Sequence, residues 1–216
     1  MKYPSEFPKF AIGIPTLNRW DLLRVHLNSY LQTYFPNIKI FVLDNGNQNI
    51  DIEHPNLVII RNKENVGVAA SWNQLCQLIF IKHEFAAILN DDIGWGMNEY
   101  RIGNFLHYQK AMLFKSLKDW CVFIMPKTTF EKIGPFDETF KAYYEDSDYT
   151  YRMKLVGFKP VAWDVLNPTT YRDNGTGEID PTIYNFSNIG RKYYVTKWGG
   201  MPGMETFKTP FNTAKK

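Results

Sequence analysis

Two acidic clusters carry most of the chemistry this sequence could perform. Asn90-Asp91-Asp92 directly follows a short apolar run, and Glu145-Asp146 with Asp148 opens a helical pattern. A hard divalent cation such as Mg2+ or Mn2+ takes oxygen ligands, commonly one or two carboxylates completed by substrate phosphates. The first cluster is therefore a candidate metal site. The same residues also suit a turn that simply ends a strand, and on this motif alone the two readings stand even. The second cluster offers a general base, because a carboxylate beside a hydroxyl can take its proton as the hydroxyl attacks. It equally suits a helix start, where acidic side chains cap the free N–H groups and complement the dipole. Arg152 lies four residues beyond Asp148, at ion-pair spacing. Neither cluster decides the matter alone.

The elements that must position these groups follow from the apolar pattern. Short runs over 10–14, 38–43, 57–60 and 85–89 are apolar throughout, without polar alternation. Helical spacing covers 21–34, stopped by Pro36, and 67–81. Strands of this kind alternating with helices predict an α/β domain, a mostly parallel central sheet with helices on both faces. Each run ends in polar or loop-forming residues, and open α/β sheets bind ligands at the carboxyl ends of their strands. That geometry gathers Thr16, Asn18, Asp44, Asn65 and Asp92 on one rim. Further on, the spacing predicts helices over 99–115, 127–133, 146–156 and 181–197, strands over 120–125 and 158–163, and a polar loop over 167–181. Gly103 weakens the helix it sits in; Gly157 is a good stop for the helix before it.

With 216 residues, the chain suits one domain, with a first half over 10–100 and a second half with a tail over 101–216. A net charge of +3, from 25 basic and 22 acidic residues, is too mild to argue for nucleic acid. Aromatic residues reach 16%, which suits sugar rings and ordinary cores alike. Cys76 and Cys121 sit in apolar runs and read as small buried hydrophobes in a reducing compartment. The first nine residues have no signal-peptide core, and no stretch approaches the roughly 20 apolar residues of a membrane span. The expected location is cytoplasmic, with the chain either whole or one domain of a longer polypeptide.

Taken in order, the segments resemble the inverting family 2 glycosyltransferases of the GT-A, Rossmann-like fold. Ile14-Pro15-Thr16-Leu17-Asn18-Arg19 looks like the family's opening motif, and Val42-Leu43-Asp44-Asn45-Gly46 like its nucleotide-recognising Asp strand. Asn65-Val66-Gly67 with Ser71-Trp72-Asn73 is similar to its Asn-x-Gly helix segment, and Leu89-Asn90-Asp91-Asp92 to its metal-binding motif. Gly134-Pro135-Phe136-Asp137 and Tyr144-Glu145-Asp146-Ser147-Asp148 look like the segments around its acceptor site and Glu-Asp motif. The short chain and its Lys-Trp-Gly-Gly tail also resemble rhamnosyl- and glucosyltransferase domains, including those of large algal viruses.

The resemblance implies roles. Asp44 would bind the nucleoside, framed by Pro15, Thr16, Asn18 and Arg19. Asp91 would face the ribose or phosphate, and Asp92 would ligate Mn2+ or Mg2+. Asp146 would be the base, with Glu145 holding a glycan or glycoconjugate acceptor. Asn65, Gly67, Ser71 and Asn73 would have mixed structural and donor-binding roles. The donor would be a nucleotide diphosphate-sugar, UDP-linked, of glucose or rhamnose type. One departure is a missing His after the Glu-Asp motif, so the cation would be held by Asp92, the diphosphate and water alone, or with help from Asp173. For the basic tail, the plain reading is an amphipathic helix end; the sharper one is a flexible lid in which Arg191 or Lys197 meets the leaving diphosphate and Trp198 stacks on a sugar. The alternatives are a non-catalytic nucleotide-sugar or glycan-binding domain and a sugar nucleotidyltransferase, although the first loop lacks the glycines of the latter.

Overall fold

The computed structural model describes residues 3–94, 96–108, 113–116, 119–162, 169–170 and 183–213. Its elements run β1 (Phe10–Thr16), α1 (Trp20–Ser29), β2 (Ile40–Asp44), β3 (Leu57–Arg61), α2 (Val68–Ile79), β4 (Phe85–Leu89), β5 (Ile93–Gly94) and α3 (Glu99–Tyr108). Then come β6 (Leu113–Ser116), β7 (Asp119–Pro126), α4 (Lys127–Ile133), α5 (Glu145–Leu155), β8 (Val161–Ala162), β9 (Thr169–Thr170) and α6 (Ile183–Trp198). A π-helical turn, Tyr30–Tyr34, extends α1 before Pro36 stops it.

Seven strands form one sheet in the order β3-β2-β1-β4-β7-β6-β8. The first four are parallel, β7 runs antiparallel to β4 and to β6, and β8 is parallel to β6. Successive residues of each central strand enter different cores, which explains the uninterrupted apolar runs. Ile12, Val42, Ala87, Leu89, Val122 and Ile124 face the core that holds Leu23 and Leu27 of α1. Ala11, Leu43, Ala86, Ile88, Phe123 and Met125 face the core that holds Leu75 and Ile79 of α2 and Tyr149 and Met153 of α5. The expected α/β sheet, mostly parallel at its centre with helices on both faces, is what the chain forms. The second half of the chain joins that sheet through β6, β7 and β8.

Two expected elements differ. The helix predicted over 99–115 ends at Tyr108, and Leu113–Ser116 is a strand paired with β7 and β8. Gly103, which weakened that helix, permits a close contact: a Cβ there would come within 2.3 Å of Tyr3 Oη and 2.5 Å of Phe7 Cδ2. A glycine in α3 thus lets the N-terminal segment lie on it. The strand expected over 158–163 is reduced to Val161–Ala162. Most of the 167–181 loop lies outside the described residues, but Thr169–Thr170 pairs with Gly94 and Ile93, immediately after Asp92. Cys76 and Cys121 are buried free thiols, and burial pushes the Cys76 thiol up from its usual range.

Candidate active site

The carboxyl end of β1 and the segment after β4 meet at the sheet's central rim. Thr16 Oγ1 donates to Asp91 Oδ2 at 2.9 Å. Arg19, just ahead of α1, places Nη1 3.5 Å from both Asp91 Oδ1 and Asp92 Oδ2. All three charged residues are buried: Arg19 is 7% exposed, Asp91 7% and Asp92 2%. Burial raises Asp91 to about 6, while the Arg19 guanidinium and the Thr16 hydroxyl pull it back. The helix behind them fixes this segment from the other side. Tyr30 Oη donates to the Ile93 carbonyl. The His26 imidazole lies near enough to Asp92 to feel its charge, although burial lowers its pKa overall.

Asp91 and Asp92 together offer hard oxygen donors. Among the described residues, no group of three His, Cys, Asp or Glu side chains could hold a metal ion. A donor set this small fits Mg2+ or Mn2+ only where substrate phosphates and water complete the shell. Asp173 lies outside the described residues.

Asp44, expected at the nucleoside, has its carboxylate engaged within its own loop. It is fully buried, and its carboxylate ties down its own loop. Oδ1 accepts from Gly46 N at 2.9 Å and Gln48 Nε2 at 3.1 Å, and Oδ2 accepts from Gln48 N at 2.8 Å. Arg61 Nε is 3.7 Å from Oδ2. Asp44 therefore shapes this end of the rim, with its oxygens already engaged. Gln48, missed by the sequence reading, also reaches Thr16 Oγ1 at 3.4 Å and links this loop to the Asp91 site. Pro15 is half-buried within β1, and Asn18, with φ 54°, stands exposed against Gly46.

The start of α2 is built by the next group. Asn65 Oδ1 accepts from Gly67 N at 3.0 Å, and Ser71 Oγ donates to the Gly67 carbonyl at 2.6 Å and accepts from Asn45 Nδ2 at 2.9 Å. Gly67 has φ +88°, and a Cβ there would sit 2.5 Å from the Lys141 carbonyl oxygen. Only glycine permits that approach. Asn73 is buried and clamps the chain ahead of α5, giving two hydrogen bonds to Phe136 O and Glu138 Oε1 and taking one from Phe136 N. Of this group, Ser71 and Asn73 both make structural hydrogen bonds.

The same contacts carry α5 to the rim. Val68 N donates to Lys141 O at 2.8 Å, tying the loop before α5 to the first turn of α2. Because β7 is antiparallel to β4, it begins where β4 ends, and Asn90 N donates to Cys121 O at 2.9 Å. Next to Cys121, the Trp120 ring lies 6.0 Å from Trp72 of α2 and 5.9 Å from Tyr149 of α5. Glu145 opens α5 one turn before Tyr149, so Trp120 links the first turns of this helix to the strand end that precedes Asp91 and Asp92. Tyr143 and Tyr144, immediately before it, have φ of 65° and 72°. Two successive left-handed residues that are not glycine cost roughly 1–3 kcal/mol each and concentrate at functional sites.

Glu145 is buried, and its Oε2 has no hydrogen-bond partner among the described residues. Burial, then the charge of Asp146, raises its carboxyl to about 8. Burial also raises Asp146, while Ser147 pulls it back: Ser147 N and Oγ hold Oδ1 at 2.6 and 3.2 Å. Adjacent carboxyls thus divide into a protonated acid and a candidate base near neutrality. The linkage sign is definite. Glu145 is raised from an ordinary 4.5 to about 8, so its favourable contribution is complete below 4.5 and is lost as pH rises through 8. Glu145→Gln should therefore melt close to wild type near pH 5 and several degrees higher at pH 9, with the gap opening between. Thermal melts across that range check it; a constant gap would reject the buried-acid assignment.

Lys197 and Trp198, expected in a lid or an amphipathic helix end, lie in α6. Both are buried, at 6% and 1% exposure. Lys197 Nζ lies 2.7 Å from Asp137 Oδ2 and 2.6 Å from Asp148 Oδ1, and Trp198 Nε1 donates to Asp148 Oδ1 at 2.8 Å. With Arg152 Nε 2.9 Å from Asp148 Oδ2, these contacts bolt α6 to α5. The lysine is held between two carboxylates, and the indole shares one of them, so both side chains take part in the packing of α6. Arg191 is exposed on α6, one turn and a half earlier, beside Lys192, Val195 and Met201.

The sheet order and the strand-end rim define a glycosyltransferase fold of the GT-A class. Residues 11–98, which carry β1 to β5, match the family model Glycosyl transferase family 2. Among solved structures, the mannosyltransferase PcManGT from Pyrobaculum calidifontis, in complex with GDP-Man and Mn2+, aligns with a TM-score of 0.60 at 16% identity, over 89% of this chain and 63% of its own. S. aureus TarS 1-349 aligns with a TM-score of 0.55 at 14% identity, over 84% of this chain and 65% of its own. The same TarS fragment in complex with UDP gives 0.56 at 13% identity. At such identities the likeness is one of fold, and the chain spans less than two thirds of either protein. The comparison with curated proteins gives no match. Among the described residues, no helix is long and apolar enough to cross a membrane.

Proposed function

We propose that this chain is an inverting glycosyltransferase that moves a sugar from a nucleotide diphosphate-sugar to an acceptor hydroxyl. The reading is supported by the link that β7 makes between two carboxylate groups distant in sequence: the Cys121 carbonyl holds Asn90, beside Asp91-Asp92, and the adjacent Trp120 packs on Tyr149, one turn past Glu145-Asp146. The β1 and β2 loops, shaped by Asp44 and Gln48, receive the nucleoside, with Pro15, Thr16 and Asn18 at its edge. UDP is the preferred carrier, and glucose or rhamnose the preferred sugar type. Arg19 and the Asp91-Asp92 pair face the diphosphate. A bound Mn2+ or Mg2+, held by Asp92 with Asp91 beside it, supplies positive charge against the departing diphosphate.

Asp146 takes the acceptor proton through Oδ2, the oxygen that Ser147 does not hold. Glu145, protonated, donates to an acceptor oxygen. Attack on the face opposite the leaving group inverts the anomeric centre. Purified protein with Mn2+ should be stabilised by UDP and should slowly hydrolyse a UDP-sugar, since ligand binding raises the melting temperature by mass action. Asp92→Ala should abolish the part of both effects that depends on Mn2+. Release of pyrophosphate from a nucleoside triphosphate would instead identify a nucleotidyltransferase, and binding without any turnover a non-catalytic domain.

A further inference from the structure

The Asp91-Asp92 pair already has a cation. One buried guanidinium, that of Arg19, stands 3.5 Å from an oxygen of each carboxylate. The arrangement answers a physical need. Two adjacent carboxylates shielded from water repel each other and are poorly solvated, and a fixed positive charge relieves both. The chain supplies that charge from the residue preceding α1, with Thr16 Oγ1 bonded to the far oxygen of Asp91. A divalent ion drawn to the same oxygens would meet the guanidinium at close range in a site of low dielectric, where like charges repel strongly. A diphosphate changes the balance, because it accepts bidentate hydrogen bonds from arginine and brings its own oxygens to the metal.

We infer that Arg19 is a built-in counter-cation for Asp91 and Asp92, which a nucleotide diphosphate must draw off before the pair takes a divalent ion. Metal loading is then conditional on nucleotide, and the empty site neither collects stray divalent ions nor leaves its aspartates uncompensated. The inference rests on the metal-assisted reading above, and its test separates the two.

Mn2+ binding is measured by the loss of the free-ion electron paramagnetic resonance signal, with and without UDP, on wild type, Arg19→Gln and Arg19→Lys. Wild type should bind Mn2+ weakly alone and about tenfold or more tightly with UDP, a coupling within the usual 5–150-fold range. By reciprocity Mn2+ should tighten UDP by the same factor. Arg19→Gln should bind Mn2+ alone more tightly than wild type, with a smaller gain from UDP. Arg19→Lys, which keeps the charge, should follow wild type. Equal Mn2+ affinity in wild type and Arg19→Gln without UDP overturns the inference and leaves the enzyme reading standing. Absence of Mn2+ binding in every protein even with UDP overturns both. If Arg19→Gln fails to fold, wild type still decides, since tight Mn2+ binding without nucleotide contradicts a counter-cation that must first be displaced.

Discussion

Asp146→Asn should lower transfer by about 10²–10⁴-fold while leaving the stabilisation by UDP and Mn2+ unchanged, because the substitution removes the proton acceptor alone. Asparagine is nearly isosteric, and its Oδ1 can keep the bonds from Ser147 N and Oγ that hold the side chain at the head of α5. The nucleotide end of the rim, with Thr16, Arg19 and Asp91, belongs to other elements and is untouched. Initial rates with a nucleotide sugar and acceptor, or with water as acceptor, read the loss; a nucleotide-induced thermal shift reads the retained binding. Wild type adds a second signature. Burial raises Asp146 above the usual carboxylate range, so activity should fall as pH drops through that raised value, earlier than an exposed aspartate would allow. A near wild-type rate in Asp146→Asn removes Asp146 as the base.

The parts of this site that were legible in the sequence are those where one residue type at one strand end has a local reason. Apolar runs closed by Thr16, Asp44 and Asn90 to Asp92 announce a doubly covered sheet with a polar rim, because a buried strand has no room for charge until it leaves the core. The ion pair of Asp148 with Arg152 was readable from their spacing on α5. Gly67 was readable too, since a glycine ahead of a helix signals a close approach, though its partner Lys141 was not.

What stayed hidden depends on long-range contact. Leu113–Ser116 has no strand signal of its own and is a strand because β7 and β8 lie beside it. Asp44 looked like a ligand contact because it ends a strand, yet Gly46 and Gln48 fold back and consume its oxygens. Lys197 and Trp198 looked like free binding groups in a basic, aromatic tail; their partners, Asp137 and Asp148, are some 50 to 60 positions away. The strained pair Tyr143 and Tyr144 gave no warning either, since neither is a residue that favours positive φ.

The partners of Lys197 and Trp198 define the largest expected effect on stability. Asp148 is fully buried, and its two oxygens meet Arg152, Lys197 and Trp198. Removing one partner of a buried ionic group costs about 3–5 kcal/mol, because the charges left behind keep their desolvation penalty without compensation. Against a total of roughly 5–15 kcal/mol for a typical domain this is a large fraction. Asp148→Ala should therefore lower Tm by about 10 °C, at the usual 2–4 °C per kcal/mol for a chain of this size. Lys197→Met should cost less. Asp148 would keep Arg152 and Trp198, while Asp137, held at about 2 because Lys197 and Thr139 outweigh its burial, would move back up toward ordinary values. The double variant Asp148→Ala/Lys197→Met should be less damaged than the sum of the single losses, since the lysine no longer sits unpaired. Asp148 is two residues beyond Asp146 on α5, so the same bolt that secures α6 holds the candidate base in register. Strictly additive losses in a thermal-melt cycle would show that Asp148 and Lys197 do not act as one unit.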